Sequence, residues 1–386
     1  MHVLLLPKWY PGRNDPQLGD FIRKQALAAS AFVRMSVLHI EAVRGLDADE
    51  EQVLRDDEGA WELAIRFRAS TIGFAPIRKA VNFIRYGRAT SHGWARVMSE
   101  RGRPDLLHAY IMVRPALFAW CLARGQRVPL VLSEQSSEYI DGTYAGKSFL
   151  FHRFSRFLFR RAATVTAVSA HLGEAMRAQG LCAAYTVVPN VVPGLERPLP
   201  PIGAVGHFLA VADLVDRTKN ISGVLRALAI ARGQDDRAHL TIIGDGPDRE
   251  RLNGIVHDLG LMDHVHFLGR LPNAEVLDRT AEAFAVVVNS NVETFSVVTG
   301  EALAQGKPVI ATRCGGPQAF ITEVNGILIE PRDDGALAEA MLKLMRSEAG
   351  FDPQRIRDTV SERFSPAAVG RAFSQVYDQA ICVNAH

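Results

Sequence analysis

Residues 189–201, PNVVPGLERPLPP, hold five prolines in thirteen positions. Proline fixes φ and removes a backbone donor, so this stretch cannot continue a helix or a central strand. The same pattern runs on both sides of it. Short apolar runs at 3–7, 35–40, 106–108, 129–133, 164–168 and 185–188 alternate with segments of helical spacing. After the prolines, apolar runs recur at 208–211, 240–243, 265–268, 284–288, 309–312 and 327–329. Strands that alternate with helices form parallel sheets covered on both faces. The chain is therefore expected to fold as two successive α/β halves: 1–192 and 203–364 joined by a linker at 193–202, with a last helix in 365–386. Ser365 caps that helix and Pro366 opens it.

Local detail follows from the same rules. Asp20 is the expected cap of a helix that runs to Ala31. Alternation across 61–68 predicts an exposed strand. The acidic segment 47–58 reads as polar connection.

A length of 386 residues suits two domains, and 48% apolar with 22% charged residues suits a substantial core. The net charge of +2 is too small to imply nucleic-acid binding. The four cysteines (Cys121, Cys182, Cys314 and Cys382) are scattered without a CxxC pair. That argues against a disulfide framework or a structural zinc and suits a reducing cytoplasm. The apolar run 3–6 is too short for a signal peptide, and no run approaches the ~18 apolar residues that span a bilayer.

Residues 289–317, NSNVETFSVVTGEALAQGKPVIATRCGGP, carry the strongest chemical signal. Glu293 and Glu301 flank a run of small and β-branched residues. A helix is expected to start near Ser296, its hydroxyl capping free backbone N–H groups. The positive end of that helix would face an arriving anion. Amides for phosphate beside carboxylates for hydroxyls suit a nucleotide sugar.

This block, read as Glu, seven residues, Glu-Ala, Gly-Lys-Pro-Val-Ile-Ala and Gly-Gly, resembles the donor motif of retaining glycosyltransferases of family 4. The resemblance is dense in the second half of the chain and loose in the first. It implies the GT-B fold, two Rossmann-like domains facing an interdomain cleft, with the last helix crossing back to the first domain. It also assigns roles. Lys219 matches the family's phosphate-binding lysine. The arginine usual six residues earlier is replaced by Asp213, which leaves Arg217 to supply a guanidinium. Asp213 is then expected to point away from the phosphates or to orient Arg217. A cation at that point stabilises the charge gathering on a diphosphate leaving group. Glu301 is assigned to the ribose hydroxyls and Glu293 to the sugar. The backbone of Phe295, Ser296 and Val297 is assigned to the sugar or phosphates, although the family often has glycine where Ser296 stands. Gly244, in Gly-Asp-Gly-Pro, serves either as a turn or as a donor contact, and Arg270 lies beside the nucleotide base.

On the acceptor side the resemblance points to Gly19, His108 and Gln135. Gln135 stands where the family frequently has histidine, and glutamine cannot titrate, so acid–base catalysis is not expected there. His108 faces either the cleft or the core. Glu134 and Glu138 are the nearest carboxylates. No cluster has metal-ligand spacing, so neither metal nor other cofactor is expected. Two basic aromatic stretches stand in the first half. Residues 63–99 hold seven Arg or Lys and residues 147–161 hold five, with no acid in either. They suit an anionic membrane surface or an anionic acceptor, or else helices with a buried aromatic face and solvated arginines.

The expected function is transfer of a sugar, with retention, from a UDP-sugar to a glycan or lipid-linked glycan in surface polysaccharide synthesis. The expected place is the cytoplasm, with peripheral contact at the inner membrane face. A GT-B phosphorylase or epimerase, or a non-catalytic scaffold subunit, stands as the alternative.

Overall fold

The computed structural model describes residues 1–55, 59–346 and 350–384. Residues 56–58 of the acidic segment, Ser347 and the last two residues of the C-terminal segment lie outside the described residues. The chain divides into two compact units, Met1–Val191 with Pro366–His386, and Val192–Ser365.

The first unit contains β1 (His2–Pro7), α1 (Asp20–Ser30), β2 (Arg34–Val43), β3 (Glu50–Arg55), β4 (Ala60–Arg68), α2 (Ala75–Glu100), β5 (Leu106–Tyr110), α3 (Arg114–Gln126), β6 (Leu130–Glu134), α4 (Phe149–Phe159), β7 (Thr164–Ala167), α5 (Ala170–Ala178) and β8 (Thr186–Val187). The strand order is β3-β4-β2-β1-β5-β6-β7-β8, and only the β3–β4 pair is antiparallel. Strands β1, β5 and β6 are buried along their whole length, as central parallel strands covered on both faces must be. The C-terminal helix Pro366–Asn384 packs on α1. The helices meet so closely at Gly370 that a Cβ there would lie 2.1 Å from the Ala28 carbonyl oxygen.

Local readings need correction here. β4 is not exposed. It is sandwiched between β2 and β3 with α2 on one face, and Glu62 is buried within it, 3.0 Å from Arg23 Nε. The acidic segment forms an edge strand, β3, because arginines neutralise it: Glu50 pairs with Arg13 at 2.9 Å and Glu51 with Arg96 at 2.7 Å. Gly19, in the left-handed region at φ 73, precedes α1 in place of an Asp20 cap. In α4 only Ser155, Leu158 and Phe159 are buried, so its aromatic face is split, with Phe149, Leu150 and Phe157 exposed.

The second unit contains β9 (His207–Val211), α6 (Asp216–Lys219), α7 (Ile221–Arg232), β10 (His239–Ile243), α8 (Arg249–Asp258), β11 (Val265–Gly269), α9 (Asn273–Glu282), β12 (Ala285–Val288), α10 (Val297–Ala304), β13 (Val309–Thr312), β14 (Gly326–Ile329), α11 (Asp334–Met345) and α12 (Pro353–Phe364). Its six strands are all parallel, in the order β11-β10-β9-β12-β13-β14. Order reverses beside β9, the switch point at which such sheets open a crevice beyond their carboxyl ends. From Val192 onward the proline-rich segment belongs to this unit. Arg197 meets Asp278 at 2.6 Å, and the Lys307 ammonium donates to the Pro201 carbonyl at 2.8 Å. The lysine of the Gly-Lys-Pro turn is therefore a buried strut, and its pKa falls to about 8 through desolvation.

Candidate functional site

Five loops of the second unit leave the carboxyl ends of β9 to β13, and each carries a residue singled out from the sequence. The β9 loop leads into α6 with Arg217 and Lys219. The β10 loop begins with Gly244, the β11 loop with Arg270, the β12 loop carries Glu293, and the β13 loop carries Gly315-Gly316.

The centre is an ion pair. Lys219 Nζ lies 2.5 Å from Glu293 Oε1, with side-chain exposures of 25% and 14%. Ser290 Oγ donates to the same oxygen at 2.7 Å. Both contacts land on Oε1, so Oε2 has no protein partner among the described residues and is open to a hydroxyl. Burial by itself would lower the Lys219 pKa, but the Glu293 charge and hydrogen bond outweigh it and raise it. The lysine is thus held as a cation.

The loop carrying Glu293 is fixed by its backbone. Glu293 N donates to the Cys314 carbonyl at 3.1 Å, and Gly316 N donates to the Glu293 carbonyl at 2.8 Å. A Cβ on Gly316 would stand 2.5 Å from the Phe295 carbonyl carbon, so only glycine permits this pairing. Asn291 ties the same loop to α6, donating from N to the Thr218 carbonyl at 2.7 Å and from Nδ2 to the Arg217 carbonyl at 2.9 Å. Asp216 anchors α6 from behind, at 2.6 Å from Arg251 Nη2 and accepting from Ser222 N at 2.8 Å. Burial raises the Asp216 pKa, but these partners outweigh it and the net shift is downward.

Helix α10 starts after Ser296, but not by the expected device. The Ser296 hydroxyl pairs with Thr299 Oγ1 at 2.8 Å and makes no cap, and its backbone sits at φ 74, ψ 78. A left-handed serine costs roughly 1–2 kcal/mol relative to glycine. Phe295 turns its ring into a buried cluster with Phe320 and Phe364, at centroid distances of 4.7 and 5.7 Å. Val297 is half-buried at the helix start. Glu301, one turn further on, is buried and accepts from Asn273 Nδ2 at 2.7 Å.

Asp213 does not orient Arg217. It pairs with Arg270 Nη2 at 3.3 Å, both side chains more than half exposed. The Arg217 side chain is exposed and makes no ion pair with Asp213. Gly244 serves the backbone: at φ 134 a Cβ would lie 1.8 Å from the Ala212 carbonyl oxygen, so the turn packs flat against the β9 loop. Ser290, Asn291 and Asn273 were not singled out from the sequence. Their role comes from contacts as far as 74 residues away, and no local pattern announces it.

The acceptor-side candidates lie in the first unit, and the structure buries them. His108 is fully buried, 3.0 Å from Tyr377 Oη and 2.6 Å from Ser133 Oγ, and burial lowers its pKa to about 3. It is a neutral core histidine and does not face solvent. Gln135 Nε2 donates to Gln25 Oε1 at 2.8 Å, and Gln25 Nε2 donates to the Pro189 carbonyl at 2.8 Å. Gly19 is pressed on the Trp9 backbone, where a Cβ would come within 2.4 Å.

With this geometry in hand, comparison with known proteins decides the family. The model of "Glycosyl transferases group 1" matches residues 206–362, and that of the "Glycosyl transferase 4-like domain" matches residues 25–191. The chain is a group 1 glycosyltransferase of the family 4 type. This glycosyltransferase is 32% identical over 173 residues to the lipopolysaccharide core biosynthesis glycosyltransferase LpsD of Rhizobium meliloti (strain 1021), a match covering 43% of this chain and 47% of that protein. It thus spans about half the length of that relative. Glycogen synthase of Mycobacterium tuberculosis (strain CDC 1551 / Oshkosh) is 27% identical over 356 residues, 87% of this chain and 80% of that protein. Among solved structures, sucrose-phosphate synthase from Thermosynechococcus elongatus superposes with a TM-score of 0.75 at 20% identity, covering 98% of this chain and 99% of that one. Anabaena HepE in complex with UDP gives 0.72 at 17% identity, covering 98% and 100%. Both share the GT-B fold of two Rossmann-like domains with the glycosyltransferase described here.

Proposed function

We propose that the chain transfers a sugar from a UDP-sugar, with retention, to a glycan or lipid-linked glycan of a surface polysaccharide. The observation that carries this reading is the Lys219–Glu293 pair at the carboxyl end of β9 and β12, with Glu293 Oε2 open. Lys219, with Arg217 on the same short helix, offers positive charge to a diphosphate. As the bond from the sugar C1 to the diphosphate oxygen breaks, its electron pair stays on that oxygen. A cation beside it stabilises that charge most in the transition state. Glu293 takes a sugar hydroxyl, Glu301 the ribose, and Arg270 the base. The acceptor oxygen bonds to C1 on the face the leaving group departs from, and its proton passes to a leaving phosphate oxygen. Retention then needs no protein base, in keeping with Gln135. No metal is assigned a role, because Lys219 and Arg217 supply the charge that a divalent ion would. Support for UDP comes from the UDP complex of the HepE relative in fold, and for the pathway from the name of LpsD.

Thermal unfolding in the presence of UDP-, GDP- and ADP-sugars tests the donor. UDP-sugars are expected to raise the melting temperature by mass action, and the rise should vanish in Lys219→Ala. Silence across all three classes would favour a scaffold role. Phosphate-dependent turnover or acceptor-free epimerisation would favour the other alternative. The anomeric configuration of the product by NMR decides retention. Activity abolished by EDTA and restored by manganese would defeat metal independence.

The first unit also supports contact with an anionic bilayer. Phe74, Ile77 and Ile84 of the α2 region are 64%, 51% and 56% exposed, and Phe149 and Leu150 of α4 are 70% and 75% exposed. Rings join these helices through α3: Phe83 to Phe118 at 5.5 Å and Phe157 to Trp120 at 5.0 Å. Arg78, Lys79 and Arg153, which have no acidic partner among the described residues, complement anionic headgroups. Among the described residues no helix is long and apolar enough to cross a membrane. Vesicles containing phosphatidylglycerol should sediment with the protein, and neutral phosphatidylcholine vesicles should not.

A further inference from the structure

The carboxyl edge of the first sheet holds a group that the proposed chemistry does not use. Glu134 ends β6 and is 1% exposed. Its Oε1 accepts from Met112 N at 2.8 Å and from Tyr139 Oη at 3.0 Å. Its Oε2 is buried with no partner among the described residues. The backbone it holds is strained: Ile111 and Val113, both β-branched, stand at φ 63 and φ 130. Such residues rarely enter positive φ, and strain of this kind persists only where the surroundings impose it. The strained turn joins β5 to α3, next to β1, where the strand order of this sheet reverses. Ligands of open α/β sheets bind beyond the carboxyl ends of strands at such a reversal.

We infer that Glu134 is a positioning residue for the acceptor: its carboxyl group clamps the strained turn at 111–113, which shapes the acceptor-binding edge of the first unit. The inference rests on the acceptor-side reading of that unit given above.

The protonation state follows from the same geometry. A buried carboxylate whose Oε2 meets no donor costs more than the neutral acid with its unpaired O–H. Burial accordingly raises the Glu134 pKa to about 7, with Glu138 raising it further and Met112 N–H, Tyr139 and Lys8 opposing. Those groups come from the residue after β1, the β5–α3 turn and the 137–139 turn. Ionisation strengthens the two bonds to Oε1 but leaves a buried charge with an orphan oxygen, and that burial cost favours opening of the turn toward water as pH rises.

The test uses the full chain, Glu134→Gln, Tyr139→Phe and Val113→Gly. Glutamine keeps the acceptor oxygen for Met112 N–H and stays neutral. The first readout is amide exchange of Met112. Its protection factor is expected to fall about ten-fold from pH 6 to pH 8.5 in the wild type and less than about two-fold in Glu134→Gln. The second readout is transfer from a UDP-sugar to a panel of methyl hexosides and methyl N-acetylhexosaminides. The KM for the glycoside is expected to rise roughly five-fold over the same pH range in the wild type, with the donor KM unchanged, and to stay flat in Glu134→Gln. Tyr139→Phe should raise glycoside KM at all pH values, and Val113→Gly should raise it while leaving the melting temperature equal or higher. Equal protection and equal glycoside KM in wild type and Glu134→Gln across pH overturn the inference. A wild type that binds UDP-sugar but transfers to none of the glycosides overturns the acceptor role. A wild type that binds no nucleotide sugar overturns the donor reading instead.

Discussion

The two units manage polar groups in opposite ways. In the second unit, Lys219 and Glu293 stand at the carboxyl ends of the strands, partly exposed, and Glu293 holds Lys219 as a cation. In the first unit, His108 in the middle of β5 and Glu134 at the end of β6 are sealed in, and burial drives both toward their neutral forms. A paired edge charge is ready to exchange its partner for a ligand. A sealed neutral group fixes backbone. Nearness to a strand terminus therefore does not make a residue part of the chemistry; the wetness of its surroundings decides.

The contrast is most exposed to test at Lys219. Lys219→Ala removes a cation that no other side chain duplicates on Glu293, and loss of one such transition-state contact costs roughly 10²–10³-fold in kcat, about 3–4 kcal/mol. In the double variant with Glu293→Gln the loss should fall well short of the sum, since the two act as a unit. Measured by UDP-sugar turnover, an unchanged kcat in Lys219→Ala would place this edge outside the chemistry and erase the difference between the units.

The next test lies in the first unit and concerns stability. His108 has a folded pKa of about 3, below its unfolded value of about 6.5. The unfolded chain therefore takes up the proton first as pH falls. Stability is complete above about pH 6.5 and is lost on descent toward pH 3, by as much as roughly 5 kcal/mol. His108→Asn should flatten that acid limb in urea titrations. Glu134 has the opposite sign: a folded pKa of about 7 means stability declines as pH rises from about 4.5 to 7. An acid limb that is identical in wild type and His108→Asn would mean that His108 is not buried as described.

Some of this contrast was open to the sequence. Continuous apolar runs such as Leu4-Leu5-Leu6 and Val286-Val287-Val288 announce strands buried on both faces, and the proline-rich break separates two rounds of alternation. The block from Glu293 to Gly316 announces its own loop, helix and strand because its parts are neighbours in the chain. His108 was ambiguous because a central strand buries every side chain, whatever its type. The Asp213–Arg270 pairing was not legible because Arg270 is 57 residues away and reaches Asp213 only through the adjacency of β9, β10 and β11. β3 was hidden because acidic residues read as solvated until Arg13, Arg66 and Arg96 are brought to them.

Ser296 offers a smaller test of how the second unit is built. Its φ of 74 and lack of a capping bond mean that glycine would relieve strain at that position. Ser296→Gly loses the hydroxyl contact with Thr299 but should still gain about 1 kcal/mol of stability, or a few degrees in melting temperature. Donor KM should change little, because Glu293 and Lys219 are held by other bonds. A drop in stability would mean that the Ser296–Thr299 contact outweighs the backbone strain.

The smallest effect is expected at Asp213 and Arg270, the pair that most resembles Lys219–Glu293 on paper and least resembles it in surroundings. Its N–O distance is 3.3 Å against 2.5 Å, and its side chains are 68% and 51% exposed against 14% and 25%. Exposed pairs contribute about 0–1 kcal/mol and are screened by salt. Asp213→Ala should therefore leave the melting temperature within about one degree of wild type. Its effect on donor binding should be favourable, because it removes a negative charge from the loop that leads to Lys219. A two- to three-fold decrease in donor KM at low ionic strength, fading as salt is added, is the expected outcome. A rise in donor KM would show instead that Asp213 holds Arg270 where the nucleotide needs it, and that an exposed pair at this edge is as structured for the ligand as the buried one.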